Sequence, residues 1–171
     1  MDLATITQSI NSFPPGEQKK ILGLINELQD ARSRTSAQQD FMDFVKEVWP
    51  AFIEGSHHGV MADAFNRIAE GSLKRLIQTA HTAELAVGFG RKVRNLVGSA
   101  DYQKIFPEVS LSTDSKAAGR WNTNRDGDYF AIGVGGAVTG KGADILIVDD
   151  PHSEQEAALN NPSVYDKTYE W

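Results

Sequence analysis

No cysteine occurs among the 171 residues, so neither a disulfide framework nor a thiolate metal site is available, a usage that suits a reducing cytoplasm. No apolar run approaches the roughly 20 residues that a membrane-spanning helix needs, and the first residues carry no basic-then-apolar leader pattern. A soluble, intracellular protein without membrane contact is the expectation. Base is scarce as well: Lys plus Arg number 17 against 23 Asp plus Glu, a net charge of −6. The deficit is local, since residues 1–100 hold 11 of each sign whereas residues 101–171 hold 6 basic and 12 acidic side chains. A globally basic coat of the kind that nucleic acids select is excluded. Only Arg67 to Arg94, with six basic residues against Glu70 and Glu84, offers a local positive surface for duplex DNA, and the same run reads equally as a solvated face.

With 40% hydrophobic and 23% charged residues, the chain has the composition of a globular protein and the length for one compact domain, or one with an appendage. Residues 1–39 read as an N-terminal helical region, in which Ile21, Leu24, Ile25 and Leu28 make one helical stripe after Pro14-Pro15-Gly16. The polar, short-chained stretch Ala31 to Gln39 reads as a joint. Phe41, Phe44, Val45 and Val48 repeat the helical spacing before Trp49-Pro50. A further helix runs from about His58 to Glu70 with Met61, Ala64, Phe65 and Ile68 inward and Gly71 as its C-terminal cap. Leu73 to Ala80 has strand length. The helix after Thr82 buries Leu85, Phe89, Val93 and Leu96 and ends at Gly98. Trp121 to Val134 reads as a hairpin about Asp126-Gly127, a dipeptide that accepts the positive φ of a tight turn. Four consecutive apolar residues, Ile145 to Val148, predict a central strand covered on both faces. Ser163 with Asp166 opens a last helix. Strands alternating with helices predict an α/β fold.

The chemistry concentrates in Ile145-Leu146-Ile147-Val148-Asp149-Asp150-Pro151. A strand ending in two acids sets carboxylates at the carboxyl edge of a sheet, where open α/β folds bind ligands, and this is the form of a Walker B element. In that role Asp149 holds Mg²⁺ through its water shell and Asp150 orients or deprotonates an attacking water. The competing reading is a strand that ends in an exposed acidic turn. Gly135 to Gly142 matches G-x-x-x-x-G-K and lacks the final Ser/Thr. A phosphate loop must open a helix, and only Ala143 and Asp144 precede the apolar strand here, so this segment reads as a glycine turn between strands, from which Lys141 reaches toward a phosphate. A rival in which the segment is a true phosphate loop requires residues 143–150 to be helical. His57 and His58 point apart on a helix without an acidic ligand at i+4, which favours surface or capping roles over metal. Trp121 and Tyr129 read as core or cross-strand packing rather than base-stacking platforms. No Ser-His-Asp arrangement with a nucleophile elbow is legible.

The strings Gly119-Arg120-Trp121-Asn122-Thr123-Asn124, Tyr129 through Asp144, and Ile145 to His152 together resemble the large terminase subunit of tailed bacteriophages. The similarity extends upstream through Trp49-Pro50, His57-His58, Leu73 to Ile77 and Gln78 to Ala86, covering residues 40–171. The resemblance implies an incomplete P-loop NTPase of the ASCE type, with a mostly parallel sheet and flanking helices, taken from a motor that spends ATP with Mg²⁺ to drive double-stranded DNA into procapsids in the host cell cytoplasm. It implies Asp149 as the metal-binding acid, Asp150 as the catalytic carboxylate, and His58 and Lys141 near the nucleotide. Portal protein and the small terminase subunit are the implied partners, and a ring homo-oligomer the implied state of the intact motor. Two departures accompany it. Relatives place a phosphate-binding loop and helix where Ile77 here meets Gln78, a βα unit of roughly 30 residues, through either an internal deletion or the joining of two ordered stretches of a longer chain. The sequence also stops at Trp171, ahead of the family's coupling motif and nuclease. The expectation is a chain that binds ATP weakly or not at all; the alternative is a non-enzymatic fragment that binds portal, small terminase or a host factor.

Overall fold

The computed structural model describes residues 10–69, 73–158 and 162–171, which form two compact units that divide between Asn66 and Arg67. The first opens on a short 3-10 turn, Ile10–Ser12, and continues as α1 (Pro15–Gln39), α2 (Phe41–Val48) and α3 (Ser56–Ala69), whose last three residues fall past the division. Pro15 starts α1 because its fixed φ suits the first helical turn and its missing N–H is not needed there. The joint predicted at residues 31–39 is instead continuous helix. The short polar side chains that suggest a break are spent on neighbours: Thr35 donates back to the Ala31 carbonyl at 2.9 Å, Ser33 donates to Glu47, and Ser36 to Asp43. The true joint is Asp40, extended at φ −133°. One of its carboxylate oxygens accepts from the Asp43 N–H at 2.9 Å and the other from Asn66 Nδ2 at 2.7 Å, so one residue caps α2 and ties it to α3. The Asp43 N–H bond leads the causes that lower the Asp40 pKa.

On α3 the inward set differs from the expected one. Ala62 is the buried residue, Ala64, Phe65 and Ile68 are half-buried, and Met61 is exposed. Glu70 and Gly71, the expected end and cap, lie outside the described residues. His57 and His58 do not point apart: they fall in the first helical turn, and their ring centroids are 3.8 Å apart.

The second unit holds β1 (Arg75–Ala80), α4 (Ala83–Val97), α5 (Ala100–Ile105), β2 (Leu111–Ala117), β3 (Arg120–Thr123), β4 (Asp128–Gly133), β5 (Ile145–Val148), α6 (Glu154–Ala158) and α7 (Pro162–Tyr169). The sheet order is β2-β3-β4-β1-β5, with β1 parallel to both β4 and β5 while β2, β3 and β4 pair antiparallel. The fold is therefore α/β with a mixed sheet rather than a mostly parallel one. The hairpin about Asp126-Gly127 forms as expected, with Asp126 at φ +62°.

The apolar tetrad of β5 is an edge strand, not a central one. Leu146 and Val148 are 58% and 53% exposed, while Ile145 and Ile147 project to the other face and are half-buried. Its neighbour β1 is an interior strand, which runs unbroken across Ile77-Gln78 and pairs on both sides.

Thr82 caps α4 by accepting from the Leu85 N–H at 3.2 Å. The helix presents Ala86, Gly90 and Val97 to the sheet, one residue round from most of the expected set; Val93 is 40% exposed. Small residues let the helix axis approach closely, and the ring of Tyr129 fills the space beside Gly90. Trp121 and Tyr129, opposite each other on β3 and β4, stack at 4.8 Å with 6° between planes, and the Trp121 indole donates to the Gly90 carbonyl at 3.2 Å. The Tyr129 phenol donates to Gln78 Oε1, and burial pushes its pKa up to about 12. These two aromatics are core, as their strand positions predict.

Candidate functional site

The carboxyl ends of the three parallel strands converge. Asp149 N–H donates to the Thr79 carbonyl at 2.9 Å, His81 N–H to the Asp150 carbonyl at 3.0 Å, and Val134 N–H to the Ala80 carbonyl at 2.9 Å. The two adjacent acids thus leave β5 at the edge where open α/β sheets bind ligands. Asp149 is half-buried and Asp150 exposed. Asp150 adopts φ +43°, a left-handed conformation that Asp tolerates better than bulkier residues. The N-terminus of α4 stands at the same edge. A Cβ on Gly133 would lie 2.5 Å from the Ala83 nitrogen, so only glycine lets the end of β4 pass that helix start.

Lys141 forms no ion pair with either acid among the described residues. It sits in the segment 134–144, which crosses from β4 over β1 to β5 without forming a helix, as expected of a glycine turn between strands. Residues 145–148 are strand, which removes the rival that needs a helix there. The Lys141 ammonium lies 4.0 Å from the centroid of Phe130. Phe130 is level with Ile77, and Ile77 with Leu146, three residues short of Asp149, or roughly 10 Å at the rise of a strand. The segment is pinned by Asp144, whose carboxylate accepts from the N–H groups of Lys74 and Arg75 at 3.0 and 2.8 Å and from the Arg75 guanidinium at 3.0 Å. The guanidinium first, then the two N–H groups, hold its pKa well below the usual carboxylate range. His58 belongs to the other unit and is committed locally: its Nδ1 accepts from the Gly55 N–H at 2.8 Å, and its ring packs on Phe52 and His57.

The sheet face opposite α4 carries a cavity of about 650 Å³ lined by Ile77, Val134, Val138, Leu146, Val148 and Trp171, among others. Trp171 helps to wall it by donating to the Gly136 carbonyl at 2.7 Å. Two further groups at the carboxyl edge went unread in the sequence. The Thr79 hydroxyl is fully buried without a hydrogen-bond partner, and His81 Nδ1 is buried and likewise unpartnered. Their signal is positional, since both are polar residues at the carboxyl end of an interior strand.

Asp149 and Asp150 are hard oxygen donors of the kind that hold Mg²⁺ through one or two carboxylates while waters and phosphate oxygens supply the rest. No cluster of three or more His, Cys, Asp or Glu suited to a metal exists among the described residues. The donor set is therefore two adjacent carboxylates. β1 passes unbroken through Ile77-Gln78. No helix among the described residues is long and apolar enough to cross a membrane. Fold and edge together define an α/β protein with an acidic carboxyl edge. No protein-family model, curated protein or solved structure matches the chain.

Proposed function

We propose that the chain is the acidic half of a terminase-type packaging ATPase, the part that holds the metal and positions the attacking water. The observation that supports this reading is the pair Asp149-Asp150 leaving a strand in parallel register with its neighbour, at the carboxyl edge of the sheet. In this reading Asp149 and Asp150 would hold Mg²⁺, which would supply charge neutralisation at a phosphoryl group. Asp149 orients the water shell of the metal, and Asp150 accepts a proton from, or aligns, the attacking water. His81 holds the Asp150 main chain through its N–H. The unbroken β1 favours a restricted form of this function, in which the isolated chain does not turn over ATP and acts as a protein-binding piece of a packaging assembly.

Mn²⁺, a paramagnetic stand-in for Mg²⁺, tests the metal half. Titration should broaden the amide resonances of His81, Asp149 and Asp150, and Asp149→Ala should abolish the effect. Uniform broadening, or broadening that survives Asp149→Ala, would remove the metal role. Calorimetry tests the other half: micromolar Mg-ATP affinity that vanishes in Asp149→Ala would overturn the inference that this chain lacks a phosphate site.

A further inference from the structure

The stripe Ile21, Leu24, Leu28 is a regular apolar pattern in the first unit, and the fold leaves Leu24 and Leu28 uncovered and Ile21 half-covered. Leu24 is 60% and Leu28 54% exposed. α2 packs on another side of α1, through Ser33, Ser36 and the buried Ala37, and Ile25 is the stripe member that is buried. Half-buried Ile21 stands at i, exposed Leu24 and Leu28 at i+3 and i+7, and exposed Ala31 at i+10, which is the a, d, a, d sequence of a heptad seam. In that frame Ile21 and Leu28 occupy a, Leu24 and Ala31 occupy d, Glu27 falls at g, and Arg32 at e five residues later.

We propose that α1 pairs in parallel with α1 of a second copy of this chain. Charge complementarity selects this occupant. In a parallel two-stranded coiled coil, g of one helix meets e of the next heptad on its partner, so Glu27 meets the second copy's Arg32 and the symmetric pair forms as well. Neither side chain has an ion-pair partner among the described residues. The first heptad carries β-branched Ile21 at a and Leu24 at d, the combination that favours two strands, and the second carries Leu28 and the smaller Ala31. The seam is short, about two heptads, so association depends on concentration.

Sedimentation equilibrium of the full chain should show a mass that rises toward twice the monomer with concentration. Leu24→Asp, at an exposed position the monomer does not need, should weaken dimerisation at least tenfold. Glu27→Arg and Arg32→Glu should each weaken it, and the double exchange should restore it, a rescue that a merely structural role would not give. The absence of native cysteine makes cross-linking clean: Leu24→Cys should form a disulfide dimer on oxidation, and Leu22→Cys, exposed but off the seam, should form far less. A monomer at every concentration, equal cross-linking at both sites, or failure of the double exchange to restore dimerisation would overturn the proposal.

Discussion

Two glycines in α4 carry opposite predictions. An alanine at Gly88 meets no atom within 4 Å, so it should gain only helix propensity, about 0.8–1 kcal/mol. An alanine at Gly90 gains the same propensity, but its Cβ would lie 2.6 Å from Tyr129 Cε1 and 2.8 Å from the Ala118 carbonyl oxygen. Neither neighbour can yield cheaply. The tyrosine ring is stacked on Trp121 and tethered through its hydroxyl to Gln78, and the oxygen is main chain. Overpacking of this kind costs roughly 1–3 kcal/mol. Gly90→Ala should therefore destabilise by up to about 2 kcal/mol net while Gly88→Ala stabilises by up to about 1 kcal/mol. Urea unfolding followed by tryptophan fluorescence reads both as shifts of midpoint at unchanged slope. If Gly90→Ala stabilised as much as Gly88→Ala, α4 would not lie against the sheet at that point, and the placement of its N-terminus at the carboxyl edge would fall with it.

Asp144→Asn should lower stability at neutral pH, and the deficit should shrink in acid. The folded-state pKa of Asp144 is depressed, so its contribution is complete above the ordinary carboxylate value of about 3.9 and is lost as pH falls through the lower folded value. Thermal midpoints of the two proteins should run in parallel from pH 7 to about 5 and begin to converge below about pH 4; a constant gap down to pH 2 would contradict the assigned bonds. Asp40→Ala should cost about 1 kcal/mol, as loss of an N-cap does, and should also release Asn66 Nδ2. Faster hydrogen exchange in the first turn of α2 would register the change, and unaltered exchange there would refute the capping role.

The parts of the fold that were legible in the sequence are those whose cause is local. Asp126-Gly127 requires a turn because few other dipeptides accept its backbone, and Thr82 announces a helix because its side chain caps the N–H three residues on. The strand position of Trp121 and Tyr129 was enough to assign them to the core. The errors are non-local. Ile145 to Val148 has the composition of a buried strand, yet burial depends on what the rest of the chain lays beside it, and here only β1 pairs with it. β2 (Leu111–Ala117) is polar between its two end residues, with Leu111 packed against the core, and its pairing with β3 is not encoded by an apolar run. The inward face of α4 was misjudged by a residue because the sheet selects small side chains where it comes closest, a constraint that hydrophobic spacing does not encode.

The candidate site divides along the same line. That Asp149 and Asp150 follow an apolar strand is local and readable, whereas their distance from Lys141 is fixed by a crossover that the spacing does not reveal. The edge position of β5 also bears on the chemistry. The main chain carrying both acids is hydrogen-bonded to β1 on one side alone, through the bonds to Thr79 and from His81, so the carboxylates lack the two-sided support that makes a catalytic acid rigid. Under the proposed function, a metal held there by two acids on a singly paired strand would bind weakly and exchange fast. Line broadening at His81, Asp149 and Asp150 is therefore the expected response to Mn²⁺, and tight stoichiometric capture would imply ligands that the described residues do not supply.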